Sequence, residues 1–322
     1  MAEVHRLRVD AVIEETADAR SFVLSGASFD VKPGQFLTVR AGDVARCYSL
    51  SSAPGEPLKI TVKRTPDGCG SAWMCSSLRA GMELDVLAPA GVFTPSSLDS
   101  SLLAFAAGSG ITPVMSIIRA VLAGGSGRVF LCYANRDEAS VIFARELSGL
   151  ARSHPDRLTV VHWLESVQGL PSAAGLRAFV RSCDEAFVCG PGPFMEVARK
   201  ALHDVPIVHV EKFVSLSSDP FAEVVPVAGD RPDAVVEVSL DGEEHRLAWP
   251  ARTKLLDLLL ERGIDAPYSC REGACSACAC RLVEGEVKML NNDVLDSEDV
   301  AEGIVLACQA VPVTDTVKIT YE

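Results

Sequence analysis

Several features are scarce or missing in this chain, and each absence excludes a class of protein or a kind of site. No apolar run approaches the roughly 20 residues that a helix needs to cross a bilayer, and the first eight residues lack the apolar core of a signal peptide. We therefore expect a cytoplasmic protein. The six histidines are not spaced as metal ligands, which argues against a histidine-ligated metal or a Rieske centre.

Basic residues are also in short supply. The chain has 30 Lys and Arg against 43 Asp and Glu, a net charge of −13, and residues 233–322 hold 18 of the acidic but only 8 of the basic side chains. Such a field repels the phosphates of nucleic acids. It suits docking of the C-terminal segment on a basic protein surface, although an acidic excess can also serve only to keep a domain soluble.

Cysteine, by contrast, is plentiful: the 322 residues include 11 cysteines, an odd number that suits reduced thiols better than a disulfide scaffold. Four of them follow the spacing C-x4-C-x2-C with the last after 29 further residues, namely Cys270, Cys275, Cys278 and Cys308. This spacing is typical of plant-type [2Fe–2S] ligands, because one tight loop holds one side of a small cluster while the fourth thiolate arrives from another element. A zinc site and a disulfide framework are the alternatives.

The pattern of apolar residues predicts a multidomain chain. Residues 1–98 contain short strands separated by turn residues, which predicts an antiparallel β-barrel. Residues 99–213 alternate buried strands with helices, which predicts an α/β domain with a parallel sheet covered on both faces. Residues 214–232 have the composition of a linker, and residues 233–322 open with a hairpin and a helix ahead of the cysteine loop.

In the predicted barrel, the string Arg46-Cys-Tyr48-Ser49 combines groups that suit a flat, phosphorylated cofactor. Tyr48 offers a ring, Arg46 a fork for phosphate and Ser49 a hydroxyl for a ring heteroatom. Further along, Gly70 and Ser71 open a helical segment, where free backbone N–H groups favour an anion. Either piece alone is more often a turn or a helix cap.

In the predicted α/β domain, two loops follow buried strands and have the small residues that let a backbone approach a pyrophosphate. Cys189 ends the strand before the second loop and is a candidate functional thiol, with a buried core residue as the alternative interpretation. The loop residues of interest are Gly108, Gly110, Thr112, Pro113, Gly190 and Pro191.

Together these motifs resemble those of the ferredoxin–NADP reductase superfamily, whose R-x-Y-S and G-x-x-S patterns hold a flavin and whose C-G-P element lies beside the nicotinamide. The order of flavin barrel, nucleotide domain and C-terminal plant-type ferredoxin domain resembles the reductase components of oxygenase systems. The resemblance implies an α+β β-grasp fold for the last domain. It also implies FAD, since the anion site at Gly70 and Ser71 favours this longer flavin over the FMN of phthalate-dioxygenase-type reductases.

The resemblance further implies roles for individual residues. Tyr48 and Ser49 would position the flavin and Cys189 would help to place the nicotinamide over it, so these three are the expected catalytic residues. The other expected cofactor contacts are Arg46, Val62, Lys63, Gly70, Ser71, Gly108, Gly110, Thr112, Pro113, Arg136, Gly190, Pro191 and Phe213. The expected metal ligands are Cys270, Cys275, Cys278 and Cys308.

The choice of pyridine nucleotide depends on the surroundings of Arg136. This residue follows the second strand of the α/β domain, where it can meet the 2′-phosphate of NADPH, whereas Asp137 and Glu138 beside it would repel that group. We therefore expect NADH.

The function implied is electron transfer from NADH to FAD, then to the [2Fe–2S] cluster, and on to a terminal oxygenase that docks on the acidic ferredoxin domain. Residues 133–137, 162–171 and 291–296 are most similar to the reductase components of 3-ketosteroid 9α-hydroxylases, and next to those of phenylacetyl-CoA epoxidases. This similarity implies a steroid or aromatic-compound hydroxylase system. The alternatives are a free-standing flavin reductase or NADH oxidase, and a redox-sensing electron-transfer module.

Overall fold

The computed structural model describes residues 4–66, 68–217, 219–222, 234–295 and 297–321. The chain divides into two compact units, His5–Phe213 and a second unit that begins at Val214. Two large sheets build the first unit and one builds the second. Within the part of the chain that the structure describes, no helix is both long and apolar enough to span a membrane.

An antiparallel sheet opens the first unit. Its strands are β1 (His5–Thr16), β2 (Ala19–Ser25), β3 (Phe36–Ala41), β4 (Val44–Ser49), β5 (Leu58–Lys63) and β6 (Glu83–Val86), with helix α1 (Cys69–Ser77) before β6. In the sheet these strands lie in the order β4-β3-β6-β1-β2-β5. Leu50, just after β4, bridges Ile60 of β5, so the two edge strands meet and the sheet closes. The predicted antiparallel barrel is confirmed.

Strand β4 carries the Arg46-Cys-Tyr48-Ser49 motif, although the sequence pattern did not mark it as a strand. Burial does not alternate along it, because Arg46, the cysteine after it and Tyr48 are all half-buried. Pairing with β3 fixes the strand instead, with Leu37 opposite Tyr48 and Phe36 opposite Ser49. The motif is therefore held on a rigid sheet and not on a loop.

Five parallel strands form the second sheet of this unit. They are β7 (Ser101–Ala107), β8 (Arg128–Asn135), β9 (Leu158–Leu164), β10 (Glu185–Cys189) and β11 (Val208–Glu211). Their order is β11-β10-β7-β8-β9, which confirms the predicted α/β domain. The connection reverses direction between β7 and β10, and open α/β sheets bind ligands in the crevice at the carboxyl ends of the strands at such a point.

Helices cover both faces of the parallel sheet. They are α2 (Ile111–Gly124), α3 (Ala144–Ser153), α4 (Glu165–Gln168), α5 (Ala173–Arg177) and α6 (Gly192–Ala201). One apolar cluster packs β7 and β8 against α2, and a second packs β10 against α6 on the other side. Both faces of the strands are thus buried, as parallel sheets require.

Polar contacts from helix α2 join the barrel to the α/β layer within the first unit. Ser116 donates its hydroxyl to the carbonyl of Ser52 at 2.6 Å. One turn later, Arg119 pairs with Glu56 of the barrel and with Glu146 of α3. Burial alone would raise the pKa of Glu56, but its hydrogen bonds, led by the one from Arg119, outweigh burial and hold the pKa below its usual value.

The second unit contains a mixed sheet with strand order β13-β12-β18-β14-β16 and a separate pair, β15 with β17. The strands are β12 (Ala234–Leu240), β13 (Glu243–Trp249), β14 (Ala279–Glu284), β15 (Val287–Met289), β16 (Ile304–Leu306), β17 (Ala310–Pro312) and β18 (Thr316–Thr320). Helix α7 (Leu255–Glu261) packs its leucines into the core beside Trp249, and α8 (Ser297–Ala301) is short. The predicted hairpin and α+β arrangement are confirmed.

Candidate functional site

Strand β4 and the start of helix α1 meet at Gly70. A methyl group on Gly70 would lie 2.8 Å from Cγ of Arg46 and 3.3 Å from the hydroxyl oxygen of Tyr48. A larger residue would therefore push these side chains aside. The two barrel motifs that the sequence singled out are adjacent in space.

The hydroxyl of Tyr48 is buried, and no described residue gives it a hydrogen-bond partner. Burial raises the pKa of this phenol, so it stays protonated and can donate. A buried hydroxyl without a partner costs about 1–3 kcal/mol, and a bound group that accepts its hydrogen bond removes that cost. The orphaned hydroxyl of Tyr48 fits a bound flavin.

Other predicted flavin residues are placed less directly. Ser49 and Val62 are buried in the wall of the barrel. The hydroxyl of Ser71 donates to the carbonyl of Gly68 and accepts from the N–H of Thr65, each at 3.1 Å. Ser71 thus shapes the loop before α1, and the backbone N–H groups at this helix start are left to meet an anion.

The two predicted nucleotide loops are in backbone contact. A 3-10 turn over Gly108–Gly110 joins β7 to α2. A methyl group on Gly110 would lie 2.1 Å from the carbonyl oxygen of Cys189 and 2.7 Å from the nitrogen of Gly190. Only glycine allows this approach. The structure therefore brings both loops to the crevice between β7 and β10.

The remaining predicted residues of this region differ in burial. Thr112 and Pro113 are buried in the first turn of α2, where Thr112 donates to the carbonyl of Ser109 at 3.0 Å. Pro191 is exposed at the start of α6. Phe213, the last residue of the first unit, is 48% exposed.

The thiol of Cys189 lies in the core, as in the alternative interpretation of this residue. It is fully buried, and burial raises its pKa, so the thiol stays neutral. Cys189 pairs across the sheet with Glu211, the last residue of β11. Glu211 is half-buried, and burial raises the pKa of its carboxyl group to about 8. The sequence pattern missed this carboxyl, whose only signal was an acidic residue after a short apolar strand.

A small charged group lies where the barrel meets the nucleotide loop. The ammonium of Lys63 is 3.8 Å, and the guanidinium of Arg136 3.3 Å, from the same oxygen of Asp18. Lys63 is also 3.7 Å from the point where a side chain on Gly108 would begin. Lys63 and Arg136 were predicted, but Asp18 lies in a turn between β1 and β2 that no motif marks.

The four predicted cluster ligands converge in the second unit. The backbone N–H of Cys270 donates to the sulfur of Cys275, and the N–H of Cys308 to the sulfur of Cys278, each at 3.4 Å; the side chains of Cys270 and Cys308 also interact with each other. Cys270, Cys278 and Cys308 are buried, while Cys275 is partly exposed. None of the eleven cysteines, all of which lie in the described residues, forms a disulfide, so the disulfide alternative is wrong.

Backbone N–H groups point at these sulfurs. The N–H groups of Glu272 and Ala274 lie 3.4 Å from the sulfur of Cys270, and the N–H of Cys308 lies 3.4 Å from that of Cys278. Such donors stabilise negative thiolates and tune iron–sulfur clusters. The donor set therefore fits a cluster.

The backbone of the cysteine loop turns through left-handed conformations, with φ of 59° at Arg271, 82° at Gly273 and 52° at Ser276. A methyl group on Gly273 would lie 2.8 Å from the carbonyl oxygen of Asn291. Gln309, next to the fourth cysteine, donates to the carbonyl of Arg271 at 2.8 Å. Contacts outside the loop thus hold its unusual backbone.

Two acidic side chains anchor the cysteine loop further. Asp257 of α7 accepts from the guanidinium of Arg271 at 2.7 Å. The carboxylate of Glu272 accepts from the backbone N–H of Ser217 at 2.8 Å. Ser217 belongs to the predicted linker, of which residues 218 and 223–232 lie outside the described residues.

Comparisons with known proteins agree with this geometry. The family described as "Oxidoreductase NAD-binding domain" matches residues 105–200, and "2Fe-2S iron-sulfur cluster binding domain" matches residues 238–313. The chain is 55% identical to the ferredoxin reductase component of the 3-ketosteroid-9-alpha-monooxygenase of Rhodococcus rhodochrous, over 98% of this chain and 96% of the relative. The chain belongs to the ferredoxin–NADP reductase family. Since the cysteine loop lies in the matched iron–sulfur domain, the zinc alternative is wrong.

More distant relatives share the same plan. The reductase is 32% identical to a component of the 1,2-phenylacetyl-CoA epoxidase of Escherichia coli strain K12, over 100% of this chain and 99% of that protein. The solved structure of phthalate dioxygenase reductase has the same fold, with a TM-score of 0.61 and 23% identity over 98% of both chains. The reductase is thus an oxidoreductase with NAD-binding and [2Fe–2S] domains, as the motifs predicted.

Proposed function

We propose that this reductase takes hydride from NADH and delivers electrons one at a time to the terminal oxygenase of a steroid hydroxylase system. One observation carries the proposal. A single chain builds an entry crevice for a pyridine nucleotide, where Gly110 meets Cys189, and an exit loop of cysteines lined by N–H donors. The name of the Rhodococcus relative, identical at 55% of positions, supports the substrate class.

FAD, when bound, would accept a hydride with its two electrons and would release these electrons one at a time. The barrel supplies the residues for it. Tyr48 donates its orphaned hydroxyl, Arg46 brings positive charge, and Ser49 and Val62 form the wall. The N-terminus of α1, where Gly70 has no side chain to cover the backbone N–H groups, suits the second phosphate of FAD better than the single phosphate of FMN.

The pyridine nucleotide would lie in the crevice between Gly108–Gly110 and Gly190–Pro191, where missing side chains let the backbone approach its pyrophosphate. Thr112 and Pro113, in the first turn of α2, would support the loop at Gly108–Gly110. The backbone of Cys189, which meets Gly110, would help to place the nicotinamide at this crevice.

NADH is the proposed nucleotide, in preference to NADPH. The guanidinium of Arg136 is already paired with Asp18 at 3.3 Å, which lowers its attraction for a 2′-phosphate. Asp137, beside it, adds negative charge at the same strand end. Lys63 remains near the loop to balance the pyrophosphate.

Cys270, Cys275, Cys278 and Cys308 are the proposed ligands of the [2Fe–2S] cluster, which carries single electrons when bound. Plant-type clusters have potentials near about −400 mV, low enough to reduce an oxygenase metal centre. The oxygenase would dock on the acidic residues of 233–322, which hold 18 acidic and 8 basic side chains. We propose domain limits at 1–98, 99–213 and 233–322, with a linker at 214–232 before the last domain. We also propose a cytoplasmic location, which the eleven cysteines outside disulfides support.

Replacement of one cluster ligand tests this function. Cys275→Ser should lose delivery of electrons to cytochrome c or an oxygenase while it keeps NADH-to-ferricyanide activity, because ferricyanide accepts electrons from the flavin directly. Cys183→Ser, which changes a half-buried thiol of the first unit, is the matched control and should keep both activities. If Cys275→Ser keeps both activities, the chain acts as a free-standing flavin reductase. If the unaltered protein oxidises NADH too slowly to support turnover, the result favours a redox-sensing electron-transfer module.

A further inference from the structure

Asn135, the last residue of strand β8, has a side-chain amide with no use in the fold as described. The residue is 8% exposed, and in the described structure neither Nδ2 nor Oδ1 has a hydrogen-bond partner. The amide lies beside the hydroxyl of Tyr133 but makes no bond of acceptable geometry with it. Burying both a donor and an acceptor unpaired is costly. A ligand that pairs with both atoms would recover this cost.

The position of the amide points to the nucleotide crevice. Asn135 and Tyr133 are two residues apart on one strand, so their side chains share a face of the sheet. Tyr133 donates its hydroxyl to the carbonyl of Gly108 at 2.9 Å, so this face supports the nucleotide loop. Strand β8 pairs directly with β7, which ends in that loop. Paired strands are about 4.8 Å apart, so the amide lies about one strand from the proposed pyrophosphate position.

The chemistry of the amide selects among the parts of a dinucleotide. An asparagine side chain has two donors on Nδ2 and an acceptor on Oδ1. A phosphate would pair with Nδ2 and place a negative oxygen against Oδ1. A ribose hydroxyl can donate and accept at once, so it satisfies both atoms. The phosphates already have Lys63 beside Gly108 of the loop.

We propose that Asn135 binds a ribose hydroxyl of the pyridine nucleotide, with Nδ2 as donor and Oδ1 as acceptor. This inference rests on the NADH site proposed above and assigns it a further binding residue. Both the nicotinamide ribose and the adenosine ribose adjoin the pyrophosphate, so either is within reach of β8. In this arrangement Asn135 contributes to nucleotide affinity and not to the rate of hydride transfer.

The test compares Asn135→Ala and Asn135→Leu with the unaltered holoprotein. Both variants should bind NAD⁺ and NADH on the order of tenfold more weakly, since two hydrogen bonds are lost, while the limiting rate of flavin reduction changes less than about twofold. Without nucleotide, Asn135→Leu should unfold at the same or a higher temperature, because a buried unpaired amide is removed. Asn292→Ala deletes an amide that bonds the carbonyl of Leu295 at 3.0 Å in the other unit, and should bind NADH normally.

Two fragments identify the ribose. If reduced nicotinamide mononucleotide also loses affinity in Asn135→Ala, the amide binds the nicotinamide ribose; if only ADP-ribose does, it binds the adenosine ribose. Asn135→Asp keeps the shape and replaces the donor Nδ2 with a second acceptor oxygen, so the hydrogen bond from Nδ2 to the ribose is lost and NADH should bind more weakly. The test therefore survives poor folding of the other variants.

Unchanged NADH affinity in all three Asn135 variants, with NADH oxidation intact in the unaltered protein, would overturn the inference and leave the proposed function standing. Loss of flavin with unchanged NADH affinity would overturn it too, because the amide would then serve the flavin. An unaltered protein that does not oxidise NADH would instead contradict the proposed function.

Discussion

At the scale of single residues, the absence of a side chain at Gly110 lets the two loops of the nucleotide crevice come into contact. Gly110→Ala would place a carbon 2.1 Å from the carbonyl oxygen of Cys189, so the two loops must separate. Overpacking of this kind costs about 1–3 kcal/mol. We expect the Kd for NADH, measured by titration, to rise at least about tenfold, with flavin and iron content unchanged.

The matched control is Gly192→Ala, two residues after Gly190. In the described structure no atom beyond the immediate neighbours of Gly192 lies within 4 Å of the added methyl group. This variant should bind NADH normally. Equal Kd values for Gly110→Ala and Gly192→Ala would contradict the contact between the loops.

The carboxyl of Glu211 predicts a pH-dependent stability. Its pKa is about 8 in the folded protein and near the ordinary 4.5 in the unfolded chain. Between these values the folded state holds a proton that the unfolded state has lost, so stability is full below about pH 4.5 and falls as pH rises towards 8. Urea unfolding at pH 5, 6.5 and 8 should show this fall in the unaltered protein and a smaller one in Glu211→Gln.

Glu196→Gln, at an exposed position on α6, is the control for this pH dependence. It should retain the fall in unfolding free energy of the unaltered protein. If Glu211→Gln follows the same curve as Glu196→Gln, the carboxyl of Glu211 is solvated and the expectation fails.

Sequence reasoning found the residues whose type and spacing carry a function by themselves. The cysteine spacing and the glycines of the nucleotide loop belong to this class, because a cluster and a pyrophosphate demand them directly. Sequence reasoning did not identify Asp18, Asn135 and Glu211, since their significance depends on burial and on partners from distant strands. A single acidic or amide residue is unremarkable until tertiary contacts enclose it.

At the scale of elements, long apolar or strictly alternating segments were predictable and short or mixed ones were not. After their first residues, strands β7 and β10 are apolar throughout, and the β12–β13 hairpin has its alternation and turn. Strand β4 has no such pattern, and β15, β16 and β17 are three residues each, too short to show a period of two. Pairing with neighbouring strands decides these elements.

The cysteine loop is an element whose backbone can be tested. Gly273→Ala adds a methyl group at φ 82° and 2.8 Å from the carbonyl oxygen of Asn291. Left-handed strain costs about 1–2 kcal/mol, and the clash adds to it. We expect faster loss of the iron–sulfur absorption bands in urea than in the unaltered protein, with NADH-to-ferricyanide activity preserved.

Gly242→Ala separates the effect of left-handed backbone strain from the effect of the steric clash in Gly273→Ala. Gly242 has a similar φ of 77° in the β12–β13 hairpin, but the described structure leaves open space around its added methyl group. It should lose the iron–sulfur bands more slowly than Gly273→Ala. The same rate of loss in both variants would mean that the contact with Asn291 does not shape the loop.

At the scale of the whole molecule, charge and domain order agree on a direction of electron flow. The nucleotide crevice lies in the first unit, the cysteine loop lies in the second, and residues 233–322 hold 18 of the 43 acidic side chains. Domain order was predictable because each domain has its own motif. The substrate of the proposed oxygenase was not predictable from this sequence, since it would bind the partner and not this chain.

One measurement tests the central claim most directly: an anaerobic titration of the holoprotein with NADH, followed by visible absorption and by electron paramagnetic resonance. The account predicts that the flavin and iron–sulfur bands both lose intensity and that the signal of a reduced [2Fe–2S] cluster appears. Bleaching of the flavin alone, with the iron–sulfur bands unchanged and no such signal, would contradict it.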